Sequence, residues 1–366
     1  MGNSPVSAPA TIASNQTNLT TNLPAVYQYS DIAIVDVLNT IRKVAGFFVS
    51  GIFGTLGIPM NLLIVIVYSR CPKLVSETTR VYYIAIGFCD LMTSIMRDIC
   101  LSFLYFGLDF ATQGRIAINI ELQSVWMCRL WDFGMFGFEL VSNWVYIPLE
   151  SERIIAMFFP LQARRIITPR RATIAIGSVV CLGVVMVACL PAGGSLTPMN
   201  SDGFVTSCYV DYGSGDFVSY WAIVMLQFTF MVPEIVITIL SIVMAIKLAN
   251  LASERVTLYK SSNLGGSRAT DRKLLETSVT LLVVCAVHDS IELPMGVFRS
   301  LPLYVNVSTS SYSYVASLAL LFYPFLSIKS ALNFIIFVFR VKGFKDEIVL
   351  LLCPARFCSA KCLKDK

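Results

Sequence analysis

The chain has 366 residues and a net charge of +5; 56% of the residues are hydrophobic, only 14% are charged, and the mean hydropathy is +0.71. Because soluble domains carry roughly a quarter charged residues, this composition argues against a soluble protein and indicates that most of the surface faces lipid. The 11 cysteines lack metal-ligand spacing, and the single histidine, His288, argues against a histidine-rich metal enzyme. We expect no cofactor and no nucleic-acid partner.

The N-terminal residues 1–43 are expected to form an extracellular, disordered, glycosylated tail. Residues 1–30 are rich in Ser, Thr, Asn and Pro, and they lack the basic start and apolar core of a signal peptide. Asn15 and Asn18 begin N-glycosylation sequons, and a third sequon begins at Asn306 in a later loop. In the topology predicted below, all three asparagines lie on the outer side of the membrane.

Seven stretches are long and apolar enough to cross a hydrocarbon core of roughly 30 Å, which takes about 20 residues. They lie at about 44–69, 81–108, 128–159, 172–194, 217–248, 274–301 and 312–339. We therefore predict an all-α membrane protein in which residues 44–342 form a bundle of seven transmembrane helices.

The orientation of this bundle follows from its basic residues. Most of the 28 Lys and Arg residues fall on one side, which predicts a multi-pass cell-membrane protein with its N-terminus outside. Residues 343–366 are expected to hold an amphipathic eighth helix, Gly343 to Leu352, on the inner membrane surface, and then a cytoplasmic tail. Cys353, Cys358 and Cys362 in that tail are candidates for palmitoylation, the alternative being unmodified thiols.

The third stretch ends in the run ERIIAMFFPL, from Glu152 to Leu161. This run resembles the Asp/Glu-Arg-Tyr-x-Ala-x-x-x-Pro-Leu pattern of rhodopsin-like G-protein-coupled receptors. The resemblance implies that Glu152 holds Arg153 in the resting state and that Arg153 meets the C-terminal helix of a heterotrimeric G protein when the helices part. It further implies that Leu161, which follows Pro160, fills a pocket on the same partner.

Further positions from about 44 to 352 fit the same family. The resemblance implies a disulfide between Cys128 and Cys208, a pairing that an oxidising compartment favours. The family's buried polar positions fall at Asn61, Asp90, Ser142 and Asn333.

The switch positions of the family are occupied differently here. Glu292 stands before Pro294 where a tryptophan is usual, and Phe337 replaces the tyrosine of the seventh-span motif. An acidic residue before this proline, followed by Met295-Gly296, resembles the FMRFamide- and myosuppressin-type peptide receptors of invertebrates.

Two ligand classes fit the resemblance poorly. Amine receptors carry an aspartate where this chain has Met135, and opsins carry their Schiff-base lysine where it has Ser327. The outer loop at about 195–216 has no Lys or Arg, which suits a cationic peptide such as one ending in Arg-Phe-amide. Alternatively, the outer loops are acidic only because basic residues are retained inside. The candidate ligand contacts are Arg97, Asp98, Asp132, Met135, Glu139, Gln227, Arg299 and Tyr323.

Two ionisable groups inside the predicted membrane region call for an explanation. Lys329 falls where the family's sodium pocket has a small polar residue, and we expect its ammonium group to replace sodium by bridging Asp90 and Glu292. The alternatives are a deprotonated lysine or one that turns to a water-filled cavity. His288 beside Asp289 is either a proton sensor or an ordinary hydrogen-bonded histidine.

The resulting interpretation is a receptor, not an enzyme, that responds to a neuropeptide by catalysing nucleotide exchange on a heterotrimeric G protein, with arrestin as a further partner. One alternative keeps the fold but makes the receptor constitutively active or an orphan. The alternative outside the class is a membrane transporter, although no internal repeat is present. A membrane hydrolase lacks a nucleophile with a neighbouring base.

Overall fold

The computed structural model describes residues 25–188, 194–198, 205–210, 221, 223–259, 268–304, 318, 321–341 and 343–352. The expectations for glycosylation and palmitoylation lie outside the described residues. They concern Asn15, Asn18, Asn306, Cys353, Cys358 and Cys362.

The first three bundle helices are long, and the first two each contain a π-helical segment. The first helix runs through Ala25–Ala45, a π-helical segment Gly46–Gly54, and Thr55–Arg70. The second helix consists of Glu77–Thr93, a π-helical segment Ser94–Gly107, and Leu108–Ala111. The third helix is Val125–Phe158, and the hydroxyl of Ser124 caps it by accepting from the Met127 N–H at 3.1 Å.

The remaining four bundle helices follow in chain order. The fourth is Pro169–Val187, the fifth combines the π-helical Gln227–Met231 with Val232–Tyr259, the sixth is Arg268–Tyr304, and the seventh is Tyr323–Arg340. The eighth helix, Phe344–Leu352, follows Gly343, whose φ of 83° suits glycine at this turn. The predicted all-α bundle of seven helices with an eighth is therefore confirmed.

The loops contain four short elements that the sequence did not predict. A 3₁₀ helix, Glu121–Gln123, precedes the third helix, and a helix of one to two turns, Pro160–Ile166, follows it. The strands Gly194–Pro198 and Val205–Val210 pair antiparallel, with Leu196 opposite Cys208.

The first helix begins much earlier than the predicted start near residue 44. Residues 25–45 contain neither Gly nor Pro, so nothing in them interrupts a helix. Lys43 pairs with Asp109 at 2.6 Å, and the Arg42 guanidinium lies 3.9 Å from the Phe106 ring centroid. Residues 25–43 are therefore helical, not part of a disordered tail as expected, because this extension docks on the end of the second helix.

Other helix ends also differ from the prediction by a turn or more. The fourth helix ends at Val187 instead of 194, and the sequence after it contains Pro191 and two glycines. The fifth continues to Tyr259 instead of ending near 248, because polar helix-forming residues extend it beyond the apolar stretch. The part of the seventh prediction from 312 to 317 lies outside the described residues.

Apolar side chains divide between a lipid-facing surface and an interior. Among the described residues, five helices are long and apolar enough to cross a membrane: Ile34–Arg70, Pro169–Val187, Ile223–Leu251, Leu275–Leu301 and Tyr323–Arg340. On the fifth helix, Ile235, Ile239, Ile242 and Ile246 are exposed at helical spacing, as a lipid-facing stripe requires. The second and third helices also carry charged side chains that are buried within the bundle, namely Asp90, Arg97, Asp98, Glu139, Glu150, Glu152 and Arg153.

One end of the bundle is closed by aromatic packing. Tyr68, Tyr83, Phe337 and Phe344 are almost completely buried and come from the first, second, seventh and eighth helices. The ring centroids of Tyr83 and Phe337 lie 4.7 Å apart, and those of Tyr68 and Phe344 lie 5.4 Å apart. Phe337, a predicted switch residue, therefore fixes the eighth helix to the bundle. We call this end, where Arg153 also lies, the Arg153 end.

The first and second helices approach closely through glycines in their π-helical segments. A Cβ atom on Gly46 would lie 2.5 Å from the carbonyl oxygen of Ser102, and one on Gly107 would lie 2.9 Å from backbone atoms of Phe47. Only glycine fits such contacts without displacing backbone. This close approach also brings Asp98 against Gly54 of the first helix.

Candidate functional site

Arg153 is buried at the end of the third helix and is held by hydroxyl groups of the second. Its Nη2 donates to the hydroxyl of Thr79 and, at 3.4 Å, to that of Ser76. Ser76 is also the N-cap of the second helix, so its side chain is fixed by the backbone. The arginine is therefore anchored by neutral acceptors at the start of a neighbouring helix.

Glu152 has a different partner from the one expected. Its Oε1 accepts from the Tyr82 hydroxyl at 2.9 Å, and within the described part of the chain no ion pair joins it to Arg153. The expectation that Glu152 holds Arg153 needs correction. Adjacent residues on a helix point about 100° apart, and here the second helix offers each of them a separate partner.

The segment after Arg153 carries the other predicted coupling residues. Pro160 occupies the first turn of the helix Pro160–Ile166, a position where its missing N–H costs nothing. Leu161 follows and is 85% exposed, which makes it one of the most exposed large apolar side chains in the described chain. An apolar side chain displayed in this way is available to a partner protein.

Halfway along the bundle, polar side chains form a buried network. Asp90 on the second helix accepts from the Ser142 hydroxyl at 2.8 Å and from Asn333 Nδ2 at 3.0 Å. Asn333 also lies 3.3 Å from the Tyr146 hydroxyl. The second, third and seventh helices thus meet at one carboxylate whose two oxygens are both hydrogen-bonded.

Asn61 joins the first and seventh helices beside this network. Its Nδ2 donates to Ser330 Oγ at 2.5 Å and to the carbonyl of Gly57 at 3.0 Å. Ser330 in turn is 2.9 Å from the hydroxyl of Ser94 on the second helix. The structure therefore joins Asp90, Ser142 and Asn333 in one network, while Asn61, the fourth predicted polar position, bonds to Ser330 in a separate one.

Lys329 forms an ion pair with only one of its two expected partners. Its Nζ donates to Glu292 Oε1 on the sixth helix at 2.6 Å, and both side chains are buried. Asp90 is instead satisfied by Ser142 and Asn333, so the expected bridge from Lys329 to both carboxylates is corrected to a single pair. The pair links the sixth and seventh helices where the family carries a tryptophan switch.

A second buried ion cluster lies nearer the opposite end, which we call the disulfide end. Arg97 donates from Nε to Asp98 at 3.1 Å and from Nη1 to Glu139 at 2.7 Å, and all three side chains are almost fully buried. These residues were predicted to be ligand contacts. The single guanidinium of Arg97 thus pairs with two carboxylates and ties the second helix to the third, and the cluster keeps a net charge of −1. That these residues contact a ligand stays a prediction.

The other predicted ligand contacts include Arg299, which lies against the rings of Phe136, Phe230 and Tyr323. We call these three rings the aromatic cradle. The Arg299 guanidinium lies 4.5 Å from the Phe230 ring centroid, 5.1 Å from that of Tyr323 and 5.3 Å from that of Phe136. Its Nη1 is buried and has no hydrogen-bond partner within the described residues. The guanidinium therefore keeps a free donor in a desolvated setting.

The remaining candidates differ in how far they are already engaged. Gln227 exchanges two hydrogen bonds with Ser300, at 2.9 and 3.2 Å. Met135 is buried in the third helix. Asp132 is partly buried, and its Oδ2 lies 3.6 Å from Cys208 Sγ, a disulfide sulfur that has no hydrogen to donate.

The loop at this end is attached to the bundle by a covalent bond. A disulfide joins Cys128, at the start of the third helix, to Cys208 in the second strand, with Cα atoms 5.6 Å apart. It closes the hairpin over the top of the third helix, next to Asp132. The adjacent Glu121 carboxyl lies outside the membrane-spanning helices, and burial raises its pKa above the usual range, while a hydrogen bond from Asn119 opposes the shift.

Comparison with known protein families decides the identity of the chain. Residues 60–337 match the family of 7 transmembrane receptors (rhodopsin family). The chain belongs to this family. A search of curated proteins found no match.

Membership in the rhodopsin family makes this chain a multi-pass membrane receptor and not an enzyme. The matched region contains the Asp90 network, Arg153, the disulfide, the Arg97 cluster and the ion pair of Lys329 with Glu292. The family assignment also argues against the alternative of a transporter.

Sequence reasoning missed the hydroxyl anchor of Arg153 and the partner of His288 in this rhodopsin-family receptor. His288 Nε2 lies 3.0 Å from Glu234 Oε1 on the fifth helix, so the histidine is hydrogen-bonded inside the bundle. The signal was present in the sequence, because Glu234 follows Pro233 in an otherwise apolar stretch.

Proposed function

We propose that this receptor catalyses nucleotide exchange on a heterotrimeric G protein when a peptide binds at the disulfide end. The observation that carries the proposal is the state of Arg153, which is buried, charged and held by the neutral hydroxyls of Thr79 and Ser76. Breaking these hydrogen bonds costs less free energy than breaking a buried ion pair, because no buried carboxylate is left without its counter-charge. The exposed Leu161 next to it supplies an apolar contact for the same partner.

The proposed orientation places the disulfide end outside the cell and the Arg153 end in the cytoplasm. A disulfide between Cys128 and Cys208 is stable in an oxidising compartment. The Arg153 end carries the basic loops and the eighth helix, as the positive-inside pattern requires of a cytoplasmic face.

The ligand we propose is a peptide with a basic side chain and a free acceptor at its amidated end. With Arg97, Asp98 and Glu139 engaged with one another, Asp132 and Glu121 have no basic partner within hydrogen-bond distance among the described residues, and Glu121 is bonded to Asn119. Asp132 is therefore the acidic group that we assign to the ligand. It would pair with the basic side chain. The buried free donor of Arg299, in its aromatic cradle, would bind the amide oxygen and flank an aromatic ligand side chain.

A screen of amidated neuropeptides in transfected cells, with recruitment of each G-protein class as the readout, tests this function. Wild-type receptor and Arg153→Ala are compared at matched surface expression. An active peptide should recruit the G protein only through the wild-type receptor, while it still binds the variant. Recruitment by the variant at the wild-type level would remove the role assigned to Arg153.

A second candidate function, signalling without a ligand, is favoured by the contact between Glu152 and Tyr82. If a carboxylate does not restrain Arg153, part of the receptor population is free to engage the G protein at rest. Tyr82→Phe removes the hydroxyl that holds Glu152, so the carboxylate can turn to Arg153 and basal exchange should fall. Basal exchange that stays unchanged or rises in Tyr82→Phe would contradict this account. Tyr105→Phe, at the other end of the second helix, is the control.

A further inference from the structure

Three residues whose side chains can bind metal ions form a cluster between the fifth and sixth helices, away from Arg153 and from the disulfide end. Glu234 comes from the fifth helix, and His288 and Asp289 come from the sixth. One potential ligand atom from each residue lies within 4.8 Å of those of the other two, and Nε2 of His288 is already 3.0 Å from Oε1 of Glu234. Glu234 and His288 are fully buried, and Asp289 is partly buried.

The charges of this cluster are not balanced by the protein. Within the described residues, no lysine or arginine pairs with Glu234 or Asp289, because Lys329 pairs with Glu292 and Arg97 pairs with Asp98 and Glu139. The hydrogen-bonding neighbours of the two carboxyl groups are His288, the hydroxyl of Thr238, which is 3.1 Å from Asp289 Oδ2, and each other. Two carboxylates side by side in a low-dielectric interior require protons or a cation.

Each of the three residues also has a buried atom without a partner outside the cluster among the described residues. Nδ1 of His288 has no hydrogen-bond partner among the described residues, and Oε2 of Glu234 and Oδ1 of Asp289 have no donor there unless one carboxyl group is protonated and donates to the other. Buried polar atoms almost always have a hydrogen-bond partner in folded proteins, so such atoms in one cluster indicate that a partner outside the described residues binds there. This observation is independent of the proximity of the residues.

We infer that Glu234, His288 and Asp289 form a binding site for a divalent transition-metal ion of the zinc class. One imidazole and two carboxylates are a nitrogen–oxygen ligand set that zinc accepts, and water would complete a tetrahedron. Bond lengths of about 2.0–2.2 Å hold tetrahedral ligands about 3.5 Å apart, so modest side-chain rotation of Asp289 closes the site. The ion supplies the missing positive charge and displaces protons from the cluster as it binds.

The location of the site gives metal binding a structural consequence. Its ligands lie on two helices, so the bound ion favours the arrangement in which the fifth and sixth helices pack together.

Zinc titration of the purified full-length receptor in lipid nanodiscs tests the inference without any ligand or G protein. Zinc should raise the unfolding temperature in a concentration-dependent way. X-ray absorption of the bound zinc should show nitrogen and oxygen ligands at about 2.0–2.2 Å, without the sulfur distance of about 2.3 Å that cysteine sites give. Manganese, a metal that thiolates bind poorly, should also stabilise the receptor, at higher concentrations than zinc.

Substitutions locate the site. Asp289→Asn retains the side-chain shape and should weaken zinc binding by at least about tenfold, whereas the surface change Asp109→Asn should leave it unchanged. The inference is overturned if zinc and manganese leave wild-type stability unchanged, if Asp289→Asn binds zinc as tightly as wild type, or if the bound zinc has only sulfur ligands. The X-ray absorption spectrum of zinc bound to the wild-type receptor tests the inference even if a variant does not fold.

Discussion

Replacing Lys329 by methionine is the sharpest probe of the polar interior. The change removes the ammonium group 2.6 Å from Glu292 Oε1, while Oε2 of the same carboxylate already lacks a hydrogen-bond partner among the described residues. Glu292 would then be a fully buried carboxylate without a counter-charge. Breaking a buried pair from one side costs about 3–5 kcal/mol, a large share of the stability of a typical fold.

The double variant Lys329→Met/Glu292→Met separates this effect from a simple packing loss. Apolar side chains of similar volume often replace a buried ion pair at no net cost, so the double variant should recover most of the stability lost in Lys329→Met. Thermal unfolding in nanodiscs, together with surface expression, measures all members of the cycle. If the two single losses simply add in the double variant, the residues are not coupled and the pair as described is wrong.

Two further predictions concern the interior and the disulfide end. Agonist affinity should not change when potassium replaces sodium at constant ionic strength. The reason is that Lys329 supplies a tethered cation beside the network in which Asp90 is bonded to Ser142 and Asn333. Ordinary sodium inhibition in radioligand competition would refute this. Cys128→Ser and Cys208→Ser should each lower surface delivery and ligand affinity, and the double variant should be no worse than either one; additive losses in the same assays would contradict a shared bond.

The sequence was sufficient for the bundle because each helix requires a long apolar stretch, and hydrocarbon admits few other structures. Motif positions also located Asp90, Ser142 and Asn333, which meet as expected. These residues lie at fixed places on helices whose packing is common to the family.

The partners of the charged residues could not be predicted in the same way. Arg97 pairs with Asp98 next to it and with Glu139 on another helix, and such a choice depends on the rotation of each helix and on side-chain rotamers. Lys329 was expected to reach Asp90 as well as Glu292. Two neutral donors occupy Asp90 instead, and their competition with the ammonium group becomes visible only in three dimensions.

Helix ends were the other weak point of the prediction. The extension from Ala25 is amphipathic rather than uniformly apolar, so its helicity depends on contacts such as that between Lys43 and Asp109. Hydropathy does not register such contacts, and it therefore set the start of the first helix near residue 44.

Nucleotide exchange on a purified G protein is the most direct test of the central claim. Wild-type receptor, Arg153→Ala and empty nanodiscs are compared by the rate at which the G protein binds a non-hydrolysable GTP analogue, with and without a peptide from the screen. The account predicts peptide-stimulated exchange by the wild-type receptor alone, with Arg153→Ala at the rate of empty nanodiscs. Equal stimulated rates for the wild-type receptor and Arg153→Ala would contradict it.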